Sequence, residues 1–144
     1  MTSELRVDNL KGSTTGGSIN VLGEGTSATT NLQQGLAKSW VNLDGTATDA
    51  GTDLDGVRDS FNVASVVDVG TGHSTVSFSN NMSNDDFAIT ATNSYDGLGS
   101  FVCFDSTASD EIPSTSVYSL TIINRNGSSE DEAHVFGAIH GDLA

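Results

Sequence analysis

Turn signals recur along this chain about every ten residues, and almost no stretch has the 3.6-residue apolar period of an amphipathic helix. Between the turns lie short runs rich in Val, Ile, Phe, Thr and Ser, which are typical of β-strands. Ser and Thr together supply about a quarter of the 144 residues, and Gly supplies 16. The pattern predicts an all-β chain, folded as an antiparallel β-sandwich or a jelly-roll-like domain.

Seven runs from Trp40 onward are predicted as strands. They cover Trp40–Leu43, Phe61–Val69, Ser74–Ser79, Phe87–Ala91, Phe101–Phe104, Val117–Ile123 and Ala133–His140. The Gly70-Thr71-Gly72 stretch between the second and third runs predicts a β-hairpin. The run at Phe87 alternates and predicts one buried face, whereas the runs at Phe101 and Val117 are apolar on both faces and predict strands covered on both sides.

The chain is predicted to divide into an extended N-terminal arm, residues 1–39, and a head domain, residues 40–144. Two short alternating stretches in the arm, around Leu5–Val7 and Ile19–Val21, are predicted to be strands. Two short strands without a third partner are not stable alone, so the arm is expected to complete its core against a neighbouring subunit or a larger particle. The alternative is a disordered terminus.

Residues Asn31–Lys38 contain Leu, Gln and Ala, which favour a turn or two of helix. The N-terminus has no basic region followed by an apolar stretch, so no signal peptide is expected.

The charge is strongly one-sided, because 5 basic residues face 19 acidic ones and the formal net charge is −14. Such a chain repels nucleic acid phosphates and anionic lipid headgroups, so neither nucleic acid nor a membrane is expected as a partner. No apolar run approaches the ~18 residues that a membrane-spanning helix needs. High acidity keeps a protein soluble where salt screens self-repulsion, which suggests a marine or saline setting.

Only 35% of the residues are hydrophobic, which makes a thin core for this length. Part of the apolar surface is therefore expected to be buried against other copies of the chain. The single cysteine, Cys103, excludes an intrachain disulfide and a zinc site built of cysteines, and we interpret it as an inert buried thiol.

Metal sites find little support in the sequence. Asp49, Asp53 and Asp55 precede Gly56 and offer oxygen ligands for Ca²⁺, but an EF-hand aligned on Gly56 would end at Asn62 rather than at a Glu. A solvated acidic loop is the favoured interpretation, and calcium binding stays open. The three histidines, His73, His134 and His140, lack the spacing of zinc ligands, so they are interpreted as surface or subunit-contact residues. No metal or cofactor is predicted.

Catalytic signals are equally weak. No Gly-x-Ser-x-Gly motif is present, and adjacent carboxylates such as Asp85 and Asp86 lie in a predicted turn, where solvation is the default. The chain is therefore expected not to be an enzyme.

A candidate receptor-binding turn consists of Asn93, Ser94, Tyr95 and Asp96. It offers an aromatic ring on which a sugar could stack and polar groups that could hydrogen-bond to hydroxyls. An ordinary turn is the alternative.

Four pieces of the chain share the order and spacing of a known domain: Asn31–Thr46, Val57–Val66, Gly70–Gly72 and Val76–Phe78. They resemble a domain found in tail-fibre-type and other virion structural proteins of marine bacteriophages. The Leu5-Arg6-Val7-Asp8 opening is similar to the starts of small phage fibre proteins. The resemblance covers about residues 30 to 90. Leu43 departs from it, standing where an aromatic residue is expected, and Ala47–Leu54 resembles an insertion in a loop that is usually shorter.

The resemblance implies a homotrimeric, β-rich protein of the bacteriophage virion, displayed as a fibre, spike or decoration on tail or capsid. Its expected partners are other copies of itself, other virion proteins and a glycan of the host surface. The alternative is a carbohydrate-binding module whose main role is receptor recognition. An enzyme such as a depolymerase is the third and least favoured hypothesis.

Overall fold

The computed structural model describes residues 4–15, 19–22, 27–47, 56–94, 99–103 and 113–144. Contacts within the chain divide it into an N-terminal segment, Met1–Leu36, and a head, Ala37–Ala144. The regular structure of the head consists of antiparallel strands in two sheets, which confirms the predicted all-β sandwich.

In the part of the N-terminal segment that the structure describes, two short strands pair and one turn of helix follows them. Strand β1 (Asn20–Leu22) pairs antiparallel with β2 (Thr29–Asn31), and helix α1 follows at Leu32–Gly35. The side-chain oxygen of Asn31 caps this helix by accepting hydrogen bonds from two backbone N–H groups. The predicted helix is thus a single turn.

The prediction of a strand around Leu5–Val7 is wrong, because residues 4–12 adopt no strand. The partner of β1 is the polar stretch Thr29–Asn31, which lacks the apolar alternation that marks a strand in sequence.

The described residues of the head form eight strands. They are β3 (Ser39–Leu43), β4 (Val57–Phe61), β5 (Val63–Gly70), β6 (His73–Phe78), β7 (Ala88–Asn93), β8 (Ser100–Cys103), β9 (Val117–Asn124) and β10 (Val135–His140). The first sheet has the order β4-β3-β10-β7 and the second has the order β5-β6-β9-β8. All neighbouring strands are antiparallel, and β7 of the first sheet lies beside β8 of the second.

The core lies between the inner faces of the two sheets. Alternate residues of β3 and β10 are buried, and β9 is buried along most of its length. The Phe78 ring centroid lies 5.3 Å from that of Tyr118 and 5.6 Å from that of Phe87. Burial raises the pKa of the Tyr118 phenol to about 12, so this residue behaves as a neutral core side chain at physiological pH.

The predicted strand Phe61–Val69 is confirmed from Val63 onward as β5, but Phe61 ends β4, a strand of the other sheet that was not predicted. Asn62 separates them with a φ of 56°, in the left-handed region that asparagine tolerates better than most residues. Its Nδ2 donates to the backbone oxygens of Lys38 and Asn80, at 3.0 Å each, and its Oδ1 accepts from the Asn80 N–H at 2.7 Å. One residue therefore turns the chain from the first sheet into the second.

The hairpin predicted at Gly70-Thr71-Gly72 is confirmed, with β5 and β6 as its strands. The one-sided burial of β7 and the two-sided burial of β9 are also confirmed. The prediction that β8 is covered on both faces is wrong, because the Phe101 side chain on its outer face is 53% exposed. Cys103 at the end of β8 is half-buried rather than buried.

Candidate functional site

The predicted receptor-binding turn begins at the end of β7. Asn93 closes that strand and Ser94 follows it, whereas Tyr95 and Asp96 lie outside the described residues. The Asn93 Nδ2 donates to the Ser100 hydroxyl and to the Ser94 backbone oxygen, the latter at 2.8 Å. The Ser94 hydroxyl donates to Glu132 Oε2 at 3.0 Å. The polar groups of Asn93 and Ser94 are thus engaged within the head, and their receptor role stays a prediction.

Glu132 is the centre of this cluster and is only 2% exposed. Its carboxylate accepts hydrogen bonds from the hydroxyls of Ser94 and Ser100, and its backbone oxygen accepts from the Gly45 N–H at 2.9 Å. A buried carboxylate needs such partners, because an unpaired one would carry a large desolvation penalty. The cluster joins β7, β8 and the segment before β10, and its arrangement fits a structural role.

Sequence reasoning missed Glu132, since it belongs to the Glu130-Asp131-Glu132 run, which is typical of a solvated turn. No local signal distinguishes Glu132 from its neighbours, because the residues that bury it are distant in sequence.

A second polar cluster holds the start of the predicted acidic loop. The Arg58 guanidinium lies 2.7 Å from the Asp44 carboxylate and also donates to the backbone oxygens of Leu43 and Ala133. The Thr46 hydroxyl and N–H donate to Asp44, and these bonds, together with the Arg58 charge, lower the pKa of that carboxyl. Asp49, Asp53 and Asp55 lie outside the described residues, so calcium binding there stays a prediction.

The three histidines lie apart in the head. His73 Nε2 is 3.1 Å from the Ser129 hydroxyl, His134 stacks on Phe136 with ring planes 4° apart, and His140 ends β10. Within the described part of the chain, no group of three or more His, Cys, Asp or Glu side chains could hold a metal ion.

The outer surface of the first sheet is the most distinctive apolar feature of the head. Its side chains alternate with the buried positions of β3 and β10, so they point away from the core. One register row across β4, β3, β10 and β7 consists of Phe61, Trp40, Ala138 and Thr90. The next row consists of Asp59, Asn42, Phe136 and Thr92. We call these two rows the aromatic face.

The aromatic face combines exposed phenyl rings with an apolar groove. Phe61 on the edge strand β4 is 51% exposed, and Phe136 is 39% exposed. A groove of about 410 Å³ lies over Ala138, between Trp40 on β3 and Thr90 on β7. The groove forms because Ala138 is small while Trp40 and Phe136 are large. Its walls are almost wholly apolar.

Among the described residues, no helix is both long enough and apolar enough to cross a membrane. No protein-family model, curated protein or solved structure matches the chain. The function proposed below therefore rests on the resemblance of residues 30 to 90 to virion proteins, together with the geometry of the head and of the N-terminal segment.

Proposed function

We propose that the chain is a non-enzymatic structural protein of a bacteriophage virion, of the fibre, spike or decoration type. In this proposal the N-terminal segment attaches the protein to the particle or joins its subunits, and the head projects into solvent, where its loops contact the host surface. The head associates with further copies, and a homotrimer is the state we propose.

One structural observation carries the proposal: the described residues of the N-terminal segment include large apolar side chains, and none of these is buried. Every described residue between 4 and 36 is exposed or half-buried. Six large aliphatic side chains of this segment are at least half exposed: Leu5, Val7, Leu10, Val21, Leu22 and Leu36. Burying each of them against a partner would contribute roughly 1.5–3 kcal/mol, which favours a segment that is completed on assembly.

The head supports the same proposal through its charge. It contains three basic and sixteen acidic residues, a net charge of −13, whereas the N-terminal segment contains two basic and three acidic residues, a net charge of −1. Among the described acidic residues of the head, only Asp59 and Asp68 lie in strands. Acidic loops favour exposure of the head to solvent, because charged side chains are well hydrated there. The nearly neutral, apolar N-terminal segment is better suited to contact with the particle.

The test is incorporation of the full chain into virus particles. We expect immunogold labelling of the head on purified particles, and we expect the triple substitution Leu5→Ser, Val7→Ser and Leu10→Ser to abolish that labelling. The control replaces Ser13, Thr14 and Thr15 of the same segment by Ala, and these exposed polar positions should be neutral. Circular dichroism of each purified variant establishes that the head remains folded.

Two results would contradict the proposal. In the first, the chain is absent from particles while it accumulates in the infected cell. In the second, the Ser variant is incorporated as well as the control. If absence from particles is accompanied by tight binding of a neutral oligosaccharide to the purified chain, the carbohydrate-binding alternative takes its place.

A further inference from the structure

The aromatic face combines a projecting ring with a matching hollow on the same surface. Phe61 lies on the β4 edge, and the groove over Ala138 extends from Trp40 on β3 to Thr90 on β7. We propose that this face is the contact surface between copies of the chain, with Phe61 of one copy seated in the groove of the next. The inference deepens the proposed function and rests on its self-association.

Electrostatics favours a second copy at this face. Two heads that each carry a net charge of −13 repel one another most strongly where carboxylates are dense, and the described carboxylates lie mainly in loops. The two rows of the aromatic face contain a single charged residue, Asp59 on the edge strand β4, and the other three strands contribute none to them. Copies of this acidic head can therefore approach closely here with little repulsion, whereas the loops would oppose contact.

The chemistry of the groove separates a second copy from other occupants. A sugar ring needs several hydrogen-bonding groups around it, but the polar side chains that line the groove, Asn42, Thr90 and Thr92, expose almost no polar surface into it. An anionic ligand would need a cation, and neither row contains a Lys or Arg side chain. An exposed phenyl ring fits such a site, because aromatic residues in apolar pockets supply much of the binding free energy of protein contacts.

The placement of ring and groove also agrees with a closed ring of subunits. In a head-to-tail arrangement of subunits, Phe61 of each copy meets the groove of its neighbour. Head-to-tail contacts close into rings when the rotation between subunits permits it. The proposed trimer is one such ring.

The first experiment removes the projecting ring. Phe61→Ala should raise the dissociation constant of the full chain at least tenfold, measured by sedimentation equilibrium, since buried aromatic anchors are the residues whose truncation weakens contacts most. Phe101→Ala is the matched control, because Phe101 is 53% exposed on the outer face of the other sheet and Phe61 is 51% exposed. Ala138→Leu, which fills the groove, should weaken association as Phe61→Ala does. Thermal unfolding of each variant tests that the fold is intact.

The second experiment uses Trp40, the single tryptophan of the chain, as a probe inside the face. Diluting the wild-type chain through its dissociation constant should shift Trp40 emission to longer wavelength as the ring becomes solvated. The Phe61→Ala variant should already show the shifted emission at the concentration where the wild type is associated.

The outcomes separate this inference from the proposed function. An oligomer whose dissociation constant is unchanged by Phe61→Ala, or is raised equally by Phe101→Ala, overturns the inference and leaves the proposed function intact. Dissociation of the oligomer without any change in Trp40 emission likewise overturns the inference and leaves the proposed function intact. A wild-type chain that stays monomeric at high concentration overturns both the inference and the proposed self-association, whereas incorporation into particles still tests the virion role.

Discussion

At the scale of single residues, the head depends on a carboxylate that it buries. Glu132 is almost inaccessible to solvent and accepts hydrogen bonds from Ser94 and Ser100. Replacing Glu132 by Leu leaves two hydroxyls without their charged acceptor, so we expect the free energy of unfolding to fall by about 2–4 kcal/mol. Glu132→Gln retains one acceptor oxygen and should cost less. Urea denaturation measures both changes.

Asp85→Asn provides the control for the Glu132 variants, because Asp85 is exposed in a loop. Its effect on the free energy of unfolding should stay within about 0.5 kcal/mol. Equal stability of Glu132→Leu and the wild type would show that the cluster contributes nothing to folding.

Gly72 is a second residue on which the head depends. Its φ is +72°, and a Cβ there would lie 2.7 Å from the Ile122 oxygen and 2.8 Å from backbone atoms of Glu130. We expect Gly72→Ala to lower the free energy of unfolding by about 3 kcal/mol or more, measured by urea denaturation. Gly127 has a similar φ of +81° but open space around it, so Gly127→Ala should cost only about 1–2 kcal/mol. Similar losses in the two variants would contradict the steric explanation.

Asp44 makes the stability of the head depend on pH. Hydrogen bonds from Thr46, with the Arg58 charge, lower its pKa in the folded state. A lowered folded-state pKa means that the ionised carboxyl stabilises the fold at neutral pH, and that this contribution disappears as the pH falls below about 4. The stability difference between wild type and Asp44→Asn should therefore be largest near pH 7 and vanish in acid. Urea denaturation at several pH values measures it, and a difference that grows in acid would contradict the assignment.

At the scale of elements, the corner between β4 and β5 carries the chain from one sheet to the other. Asn62 supplies both the left-handed backbone and the side-chain bonds that hold this corner. Asn62→Gly keeps the backbone conformation accessible but loses the bonds, whereas Asn62→Ala loses both. We expect Asn62→Ala to be less stable than Asn62→Gly by about 1 kcal/mol in thermal or urea unfolding. The reverse order would show that the left-handed conformation costs little here.

The elements also show which parts of the fold the sequence predicts. The β5–β6 hairpin was predictable because Gly70-Thr71-Gly72 encodes a tight turn within a few residues. The corner at Asn62 was not, because neither Gly nor Pro marks it and the strand-forming residues Phe61 and Val63 flank it directly. Strand β2 was not predicted, because Thr29–Asn31 is polar throughout and shows no apolar alternation.

At the scale of the whole molecule, the sheet order and the candidate surface depend on pairings between distant segments. Strand β3 lies beside β10, nearly the full length of the head away in sequence. That pairing brings Trp40 next to Ala138 and places Phe136 one register row away, which creates the groove. The sequence identifies each of these residues as apolar, but only the tertiary pairing assembles them into one exposed face.

The central claim is that the chain works as an assembly of copies, and its mass in solution tests that claim most directly. Light scattering of the full chain on a sizing column, in low and high salt, should give three times 14.8 kDa, about 44 kDa. Association should strengthen with salt, because screening weakens the repulsion between acidic heads. A folded species of 14.8 kDa at both salt concentrations would contradict the account.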